Sequence, residues 1–149
     1  FQTINVRESI ETVLALLGHK LGTRIDVRRH YHGAPDLYCS PALLNQVVMN
    51  IIGNAADAIA GTGAIDIETS SDETTYTIQI SDTGPGIAPD MRERVFEPFF
   101  TTKPVGSGTG LGLAIAYSVV EAHKGTITVD EGPMGGARFT VTIPRQNIE

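Results

Sequence analysis

Cysteine is almost missing from the sequence: Cys39 is the only one among 149 residues, so no disulfide can form within the chain. No long uncharged apolar run marks a transmembrane helix or a signal peptide. Basic residues are in the minority, with 11 Lys and Arg against 17 Asp and Glu. The net charge of -6 argues against a partner bound through a nucleic-acid backbone. We therefore expect a cytoplasmic domain without nucleic-acid or direct membrane contact.

The length of 149 residues fits one domain, and a chain of this size buries roughly 68–70% of the surface that it exposes when unfolded. Hydrophobic residues make up 41% and charged residues 19%, which is enough for one core. The chain starts at Phe1 without an initiator methionine, so we expect it to be an excised fragment or a processed chain.

Hydrophobic periodicity predicts the secondary structure of the first half. Asn5 is a candidate N-cap, and Ser40 followed by Pro41 is the start signal of a second, longer helix. Alternating apolar and polar residues predict half-buried strands. The expected elements are a helix over 6–20, a strand over 24–31, a helix over 40–60 and a hairpin of strands over 64–70 and 74–82.

The second half begins with breakers, because Pro98, Pro104, Gly106 and Gly108 deny regular structure to the segment 97–109. We expect that segment to be a mobile loop. The other expected elements are a short helix over 90–96, a helix over 110–123 and strands over 126–130 and 137–143. The pattern predicts the α+β class: a two-layer sandwich with helices on one face of a mixed sheet of about five strands.

Polar residues form a stripe along one face of the predicted long helix. At about 100° per residue, Gln46, Asn50, Asn54 and Asp57 fall within about 80°, with Gly53 beside them. A solvated face would more commonly carry Lys and Glu. Amide oxygens suit Mg²⁺, which takes few protein ligands alongside phosphate oxygens. The stripe favours a functional face over a merely solvated one.

Two glycine-rich segments complete the candidate site. Asp82 has the strand parity of the apolar Ile78 and Ile80, so its carboxylate is expected on the packed face, followed by a turn containing Gly84 and Gly86. By itself this motif is also that of an ordinary turn. The run 106–112 leads directly into a helix, whose N-terminus offers backbone N–H groups to phosphates.

The order and spacing of these segments resemble the catalytic domains of sensor histidine kinases, within the ATPase superfamily shared with gyrase, the Hsp90 chaperones and the MutL repair proteins. Residues 44–59 look like the N box, 82–87 the first glycine box, 96–100 the F box and 106–113 the second glycine box. The stretch 101–104 looks closest to the nitrogen-regulation type. The resemblance implies the Bergerat ATP-binding fold over nearly the whole chain, with ATP between the long helix and a mobile lid.

The resemblance also implies roles for individual residues. Asn54 would hold Mg²⁺, Asp82 would accept a hydrogen bond from the adenine amino group, and Lys103 would reach the γ-phosphate from the lid. Further residues are expected to contact the nucleotide: Asn50, Asp57, Gly84, Gly86, Ile87, Phe99, Gly108, Thr109, Gly110, Leu111 and Gly112.

The resemblance also bears on the reaction. In the hydrolysing branch of the superfamily a glutamate activates water one helical turn before the magnesium asparagine. Here that position is Asn50, which cannot act as a general base. We therefore expect Asn50 and Lys103 to serve direct phosphoryl transfer, from MgATP to a histidine. None of His19, His30, His32 and His123 stands in the family's acceptor motif, and His123 is expected only to interact with a helix dipole.

The acceptor histidine is therefore expected upstream, on a two-helix dimerisation module absent from this chain, with a response regulator as a further partner of the intact protein. Two alternatives stay open. One is an anti-sigma-type serine kinase, and the other is a nucleotide-binding module without transfer activity. The sensor-kinase form of residues 97–103 favours the histidine kinase over the first, and the completeness of the boxes favours it over the second.

Overall fold

A computed structural model describes residues 1–100 and 111–145 of the chain. Its strands are β1 (Gln2–Asn5), β2 (Ile25–Tyr31), β3 (Asp36–Cys39), β4 (Gly63–Ser71), β5 (Thr75–Asp82), β6 (Thr126–Glu131) and β7 (Ala137–Pro144). Its helices are α1 (Val6–Leu16), α2 (Gly18–Leu21), α3 (Pro41–Ala58) and α4 (Gly112–Ala122), with 3₁₀ turns at Pro89–Met91 and Arg94–Phe96. None of these helices is long and apolar enough to cross a membrane.

Five of the strands form one mixed sheet in the order β2-β4-β5-β7-β6. The outer pair of β2 and β4 is parallel, with α3 in the connection between them, and the other neighbours are antiparallel. The predicted hairpin of β4 and β5 is confirmed. The α+β class and the mixed sheet with helices are also confirmed.

The core lies between one face of the sheet and the helices. Along β5 the side chains of Tyr76, Ile78 and Ile80 are buried, as their alternation predicts, while those between them are only half-buried. Helix α3 presents its apolar side to this face. Its buried residues are Leu44, Val47, Val48, Ile51, Ile52, Ala55 and Ala56.

Two helix starts follow from their caps. The Asn5 side chain accepts hydrogen bonds from the backbone N–H groups of Arg7 and Glu8, at 2.9 and 3.3 Å, so α1 begins as predicted. Ser40 occupies the cap position of α3 but makes no side-chain cap bond, and Pro41 at the first helical position supplies the start signal instead.

Two expectations need correction, and two strands were missed. The first helix ends at Leu16, and a separate short turn of helix covers Gly18–Leu21, because glycine interrupts the helix. The helix expected over 90–96 is two 3₁₀ turns, since the segment is too short to gain stability from α-helical hydrogen bonds. Strands β1 and β3 were not predicted, and they pair as a separate two-stranded antiparallel sheet.

The last expected helix, over 110–123, begins in the structure at Gly112, and Gly110 lies outside the described residues. Of the loop expected over 97–109, only 97–100 is described. That part forms neither helix nor strand, which agrees with its proline and the absence of hydrophobic periodicity. The expected mobility of the remainder stays a prediction.

Candidate functional site

Asp82 ends β5 with its side chain on the packed face of the sheet, as the strand parity predicts, and it is 3% exposed. Its Oδ1 atom accepts a hydrogen bond from the Gly84 N–H at 2.8 Å and a longer one from the Ala137 N–H at 3.4 Å. Burial raises the pKa of this carboxyl above its usual value, although the two backbone donors act in the opposite direction. A buried acceptor of this kind is suited to a donor group on a ligand.

Glycines allow the backbone to come close to Asp82 from two sides. A Cβ atom at Gly84 would lie 3.1 Å from the Ala58 carbonyl oxygen at the end of α3. A Cβ atom at Gly136 would overlap the carbonyl oxygen and the Oδ1 atom of Asp82. The turn between β6 and β7 therefore belongs to the site. Sequence reasoning missed this turn, and the only available signal was the pair of glycines before β7.

The turn after Asp82 depends on a conformation that favours glycine, since Gly86 has a φ of +78°. A Cβ atom there would lie 3.6 Å from the backbone of Gly135. Ile87 follows, packs against the hydrophobic core and accepts a hydrogen bond at its carbonyl from Arg92 Nε at 3.2 Å. The structure thus brings the expected residues Gly84, Gly86 and Ile87 together beside Asp82.

The polar stripe of α3 is present on the surface of the helix. Gln46 and Asp57 are exposed, whereas Asn50, Gly53 and Asn54 are half-buried. The Asn50 Nδ2 atom donates a hydrogen bond to the Gly112 carbonyl oxygen at 2.8 Å. Asn50 therefore fixes Gly112, the last residue of the second glycine-rich segment and the first residue of α4, against α3.

Asp57 forms an ion pair across to α2. Its Oδ1 atom lies 2.6 Å from Lys20 Nζ, and both side chains are about a third exposed, at 32% and 34%. A pair in this environment contributes little to stability because solvent screens it. The contact instead places a cation next to the carboxylate that the stripe presents.

Phe99 and Phe100 differ in their surroundings. Phe99 is 72% exposed and has a positive φ of 68°, whereas Phe100 packs against the core with the Arg94 guanidinium 5.0 Å from its ring centre. At the other end of the expected lid, Leu111 and Gly112 are half-buried. Four expected site residues lie outside the described part of the chain: Lys103, Gly108, Thr109 and Gly110.

Sequence reasoning did not identify the contact that holds the end of α3. Arg24 Nη2 donates to the Ala56 carbonyl at 2.9 Å, and Nη1 donates to the carbonyls of Ile59 and Gly61 at 2.8 and 3.1 Å. These partners are separated by 32 to 37 positions in the chain, so no local pattern could indicate the contact.

His123 also has a larger structural role than the expected dipole interaction. Its Nε2 atom accepts a hydrogen bond from the Ser40 backbone N–H at 3.1 Å, and its Nδ1 atom lies 2.9 Å from the Val119 carbonyl oxygen. The buried imidazole thus joins the end of α4 to the start of α3.

Comparison with known proteins gives a family match over residues 39–147, described as histidine kinase-, DNA gyrase B- and HSP90-like ATPase. Sensor histidine kinase ZraS of Escherichia coli O157:H7 is 43% identical over 110 residues, or 74% of this chain and 24% of that protein. The histidine-protein kinase AtoS of Escherichia coli K12 is 45% identical over 68% of this chain and 17% of its own length. The chain therefore spans about a quarter or less of these curated relatives.

Solved structures agree with this match. The mycobacterial sensor histidine kinase MprB superposes with a TM-score of 0.87 at 27% identity, covering 99% of both chains. The catalytic domain of histidine kinase ThkA superposes with a TM-score of 0.84 at 27% identity, covering 98% of both chains. A further structure holds ThkA in complex with the response regulator TrrA. It has a TM-score of 0.85 at 28% identity and covers 98% of this chain and 42% of that one.

Proposed function

Since the chain belongs to the histidine kinase-, DNA gyrase B- and HSP90-like ATPases, we propose that it binds MgATP and transfers the γ-phosphate to a histidine in two-component signalling. The observation that carries the proposal is the buried carboxylate of Asp82 in a turn of close-packed glycines, beside the amide stripe of α3. The acceptor histidine would lie on a separate dimerisation module of the intact cytoplasmic kinase.

Asp82 is assigned to the adenine amino group. Two backbone N–H groups already bind its Oδ1 atom, and Oδ2 would accept the hydrogen bond from the base. A carboxylate only accepts, while adenine offers an amino donor and guanine offers an oxygen in the equivalent place. Placing the Asp82 carboxylate opposite the guanine oxygen would leave two hydrogen-bond acceptors unpaired in a buried site, which costs binding free energy. The site should therefore select ATP over GTP.

Asn54 is assigned to Mg²⁺. Its side chain is half-buried on the same helix face as Asn50, where an amide oxygen can reach a metal that also binds phosphates. Among the described residues no group of three or more His, Cys, Asp and Glu side chains could hold a metal. A single amide oxygen from Asn54 suits Mg²⁺, because this ion keeps several of its waters. The bound ion would neutralise charge on the transferred phosphoryl group.

The phosphates are assigned to the start of α4, where the positive end of the helix dipole favours anions. Leu111 and Gly112 stand there, and Asn50 holds Gly112 in place. We extend the assignment to Gly108, Thr109, Gly110 and Lys103, with Phe99 in the lid and Asp57 at the far end of the stripe. Gly84, Gly86 and Ile87 would contact the base.

Transfer rather than hydrolysis is proposed because an amide cannot deprotonate water, and Asn50 occupies the position of the general base. A neutral imidazole needs mainly positioning and charge neutralisation to attack phosphorus. The response regulator bound to ThkA supports a matching partner for the intact protein.

The direct test is calorimetric titration of the chain with ATP in the presence and absence of Mg²⁺, for the wild type and for Asn54→Ala. We expect the variant to lose Mg²⁺-dependent binding and to keep its fold, because the residue lies on the polar face of α3 and not in the core. Gln46→Ala, on the same face and exposed, is the matched control. Unchanged MgATP affinity in Asn54→Ala would remove Asn54 as a ligand.

A further inference from the structure

Helix α3 ends without a basic residue in its last turn, and the last carbonyls of any helix lack partners within it. Arg24, outside the helix, supplies donors instead. Its guanidinium bonds the Ala56 carbonyl inside the last turn and the carbonyls of Ile59 and Gly61 after it. One half-buried side chain therefore fixes both the end of the helix and the connection that leaves it.

The end of α3 lies directly against the glycine turn that follows Asp82. A Cβ atom at Gly84 would lie 3.1 Å from the Ala58 carbonyl oxygen and 3.2 Å from the Ala58 Cβ. The two backbones are thus as close as glycine permits. A small shift of the last turn of α3 has to move Gly84, whose N–H binds the Asp82 carboxylate.

A second route leads from Arg24 to the same turn through the backbone. The Arg24 carbonyl accepts from the Gly63 N–H at 3.0 Å. The neighbouring Ala64 N–H donates to Thr83 Oγ1 at 3.0 Å, and the Thr83 N–H donates to the Ala64 carbonyl at 3.2 Å. Thr83 stands between Asp82 and Gly84, so this connection fixes the other side of the turn. It uses the backbone of residue 24 and should persist when the Arg24 side chain is replaced.

We propose that the Arg24 side chain is a positioning group for base recognition: it holds the end of α3, and through it Gly84, so that the turn 82–84 presents the Asp82 carboxylate to adenine. This inference rests on the proposed function. The planar fork of a guanidinium can bond carbonyls on two sides at once, whereas a lysine ammonium is a point donor on a flexible stem. Lysine at this position keeps the positive charge but lacks the planar guanidinium that bonds several carbonyls at once.

The experiment measures ATP and GTP affinities by competition titration, at a temperature where circular dichroism shows every variant to be fully folded. Arg24→Gln and Arg24→Lys are compared with the wild type. Arg28→Gln is the matched control, because Arg28, on the strand that begins after Arg24, has only exposed contacts among the described residues, with Asp26 and Met134. Arg24→Lys keeps the measurement available if Arg24→Gln does not fold.

Both Arg24 variants should bind ATP about tenfold more weakly, the equivalent of one or two hydrogen bonds, and should lose much of the preference for ATP over GTP. Arg28→Gln should match the wild type. Unchanged ATP affinity in the folded Arg24 variants, or an equal loss for ATP and GTP, overturns the positioning role. A wild-type chain that binds no ATP at all overturns the proposed function instead, so the two failures are distinguishable.

Discussion

At the scale of single residues, Asp82 combines a cost to the fold with a use in the site. Its burial opposes ionisation, and the described residues give it two backbone hydrogen bonds, both to one of its oxygens. A purely structural position would be occupied more favourably by a neutral amide of the same shape. Functional sites commonly retain such destabilising groups because the ligand needs them.

The substitution Asp82→Asn should therefore raise the free energy of unfolding of the nucleotide-free chain at neutral pH while it weakens ATP binding. Asparagine keeps an acceptor for Gly84 and Ala137 and removes the buried charge. Its amide can also donate to the guanine oxygen, so the preference for ATP over GTP should shrink or reverse. Denaturant unfolding and competition titrations check the two effects.

The same substitution has a pH signature. The pKa of Asp82 is raised in the folded state, so folding favours the protonated form. The stability that this shift contributes is fully present below the pKa that Asp82 has in the unfolded chain. It is lost as the pH rises through the pKa that Asp82 has in the folded chain. The advantage of Asp82→Asn should thus grow with pH over that window and stay constant above it. If Asp82→Asn raises the free energy of unfolding by the same amount at acid and neutral pH, the pKa of Asp82 is not raised by folding.

A second prediction at this scale concerns the substitution of Gly136. A methyl group there would overlap the Asp82 carboxylate and its backbone oxygen, so Gly136→Ala has to displace the carboxylate, the turn or both. We expect ATP affinity to fall more than about tenfold, the loss that follows from a missing charge-assisted hydrogen bond. Gly18→Ala is the control, because a Cβ atom at Gly18 meets nothing within 4 Å. Equal ATP affinity in the two variants would contradict the close approach.

At the scale of elements, both ends of α4 are tied to α3. Asn50 bonds the first residue of α4, and His123 after the end of α4 bonds the Ser40 N–H at the start of α3. The helix with the proposed magnesium ligand and the helix with the proposed phosphate site are thus held in register by side chains. Packing of the apolar faces alone would leave more freedom for sliding.

His123→Asn tests one of these ties. The shorter side chain cannot reach both Ser40 and Val119, so a partly buried backbone N–H loses its partner, and the free energy of unfolding should fall by about 1–3 kcal/mol. His19→Asn changes an exposed side chain and should stay within about 0.5 kcal/mol of the wild type. Chemical denaturation of both variants is the measurement, and equal stability would refute the tie.

The elements with strong periodicity were predictable from sequence. Helix α3 and strands β4 and β5 fell within a few residues of their expected bounds, because period and breakers are local signals. The four-residue strands β1 and β3 were missed, since their pairing joins residues more than thirty positions apart. The Arg24 and His123 contacts depend on the same kind of long-range approach. Burial of Asp82 was predictable from parity, but its neighbours Gly136 and Ala137 come from a distant turn.

At the scale of the whole molecule, three of the four histidines contact residues that are not assigned to the proposed nucleotide site. His123 is buried between helices, and His30 and His32 lie in or next to the edge strand β2, beside Asp66 and Glu68. An acceptor histidine on another part of the intact protein would agree with the length of the relatives. These are about four times as long as the chain or longer, and the chain matches only one part of each. Phosphoryl transfer would then be a reaction between modules.

The last prediction follows from the expected position of the acceptor histidine on a separate module and from the amide side chain of Asn50. The chain alone should bind MgATP and turn it over slowly, because the amide in the general-base position cannot activate water and already donates to Gly112. Transfer of radiolabel from [γ-³²P]ATP should begin only when a separately prepared dimerisation module with an acceptor histidine is added, and the same module with that histidine changed to glutamine should stay unlabelled. ATP at one hundred times its dissociation constant should meanwhile stabilise the chain by about 2.7 kcal/mol, so that binding is verified independently of transfer. Rapid hydrolysis by the chain alone, abolished in Asn50→Ala, would instead place Asn50 in a hydrolytic mechanism and make the kinase assignment wrong.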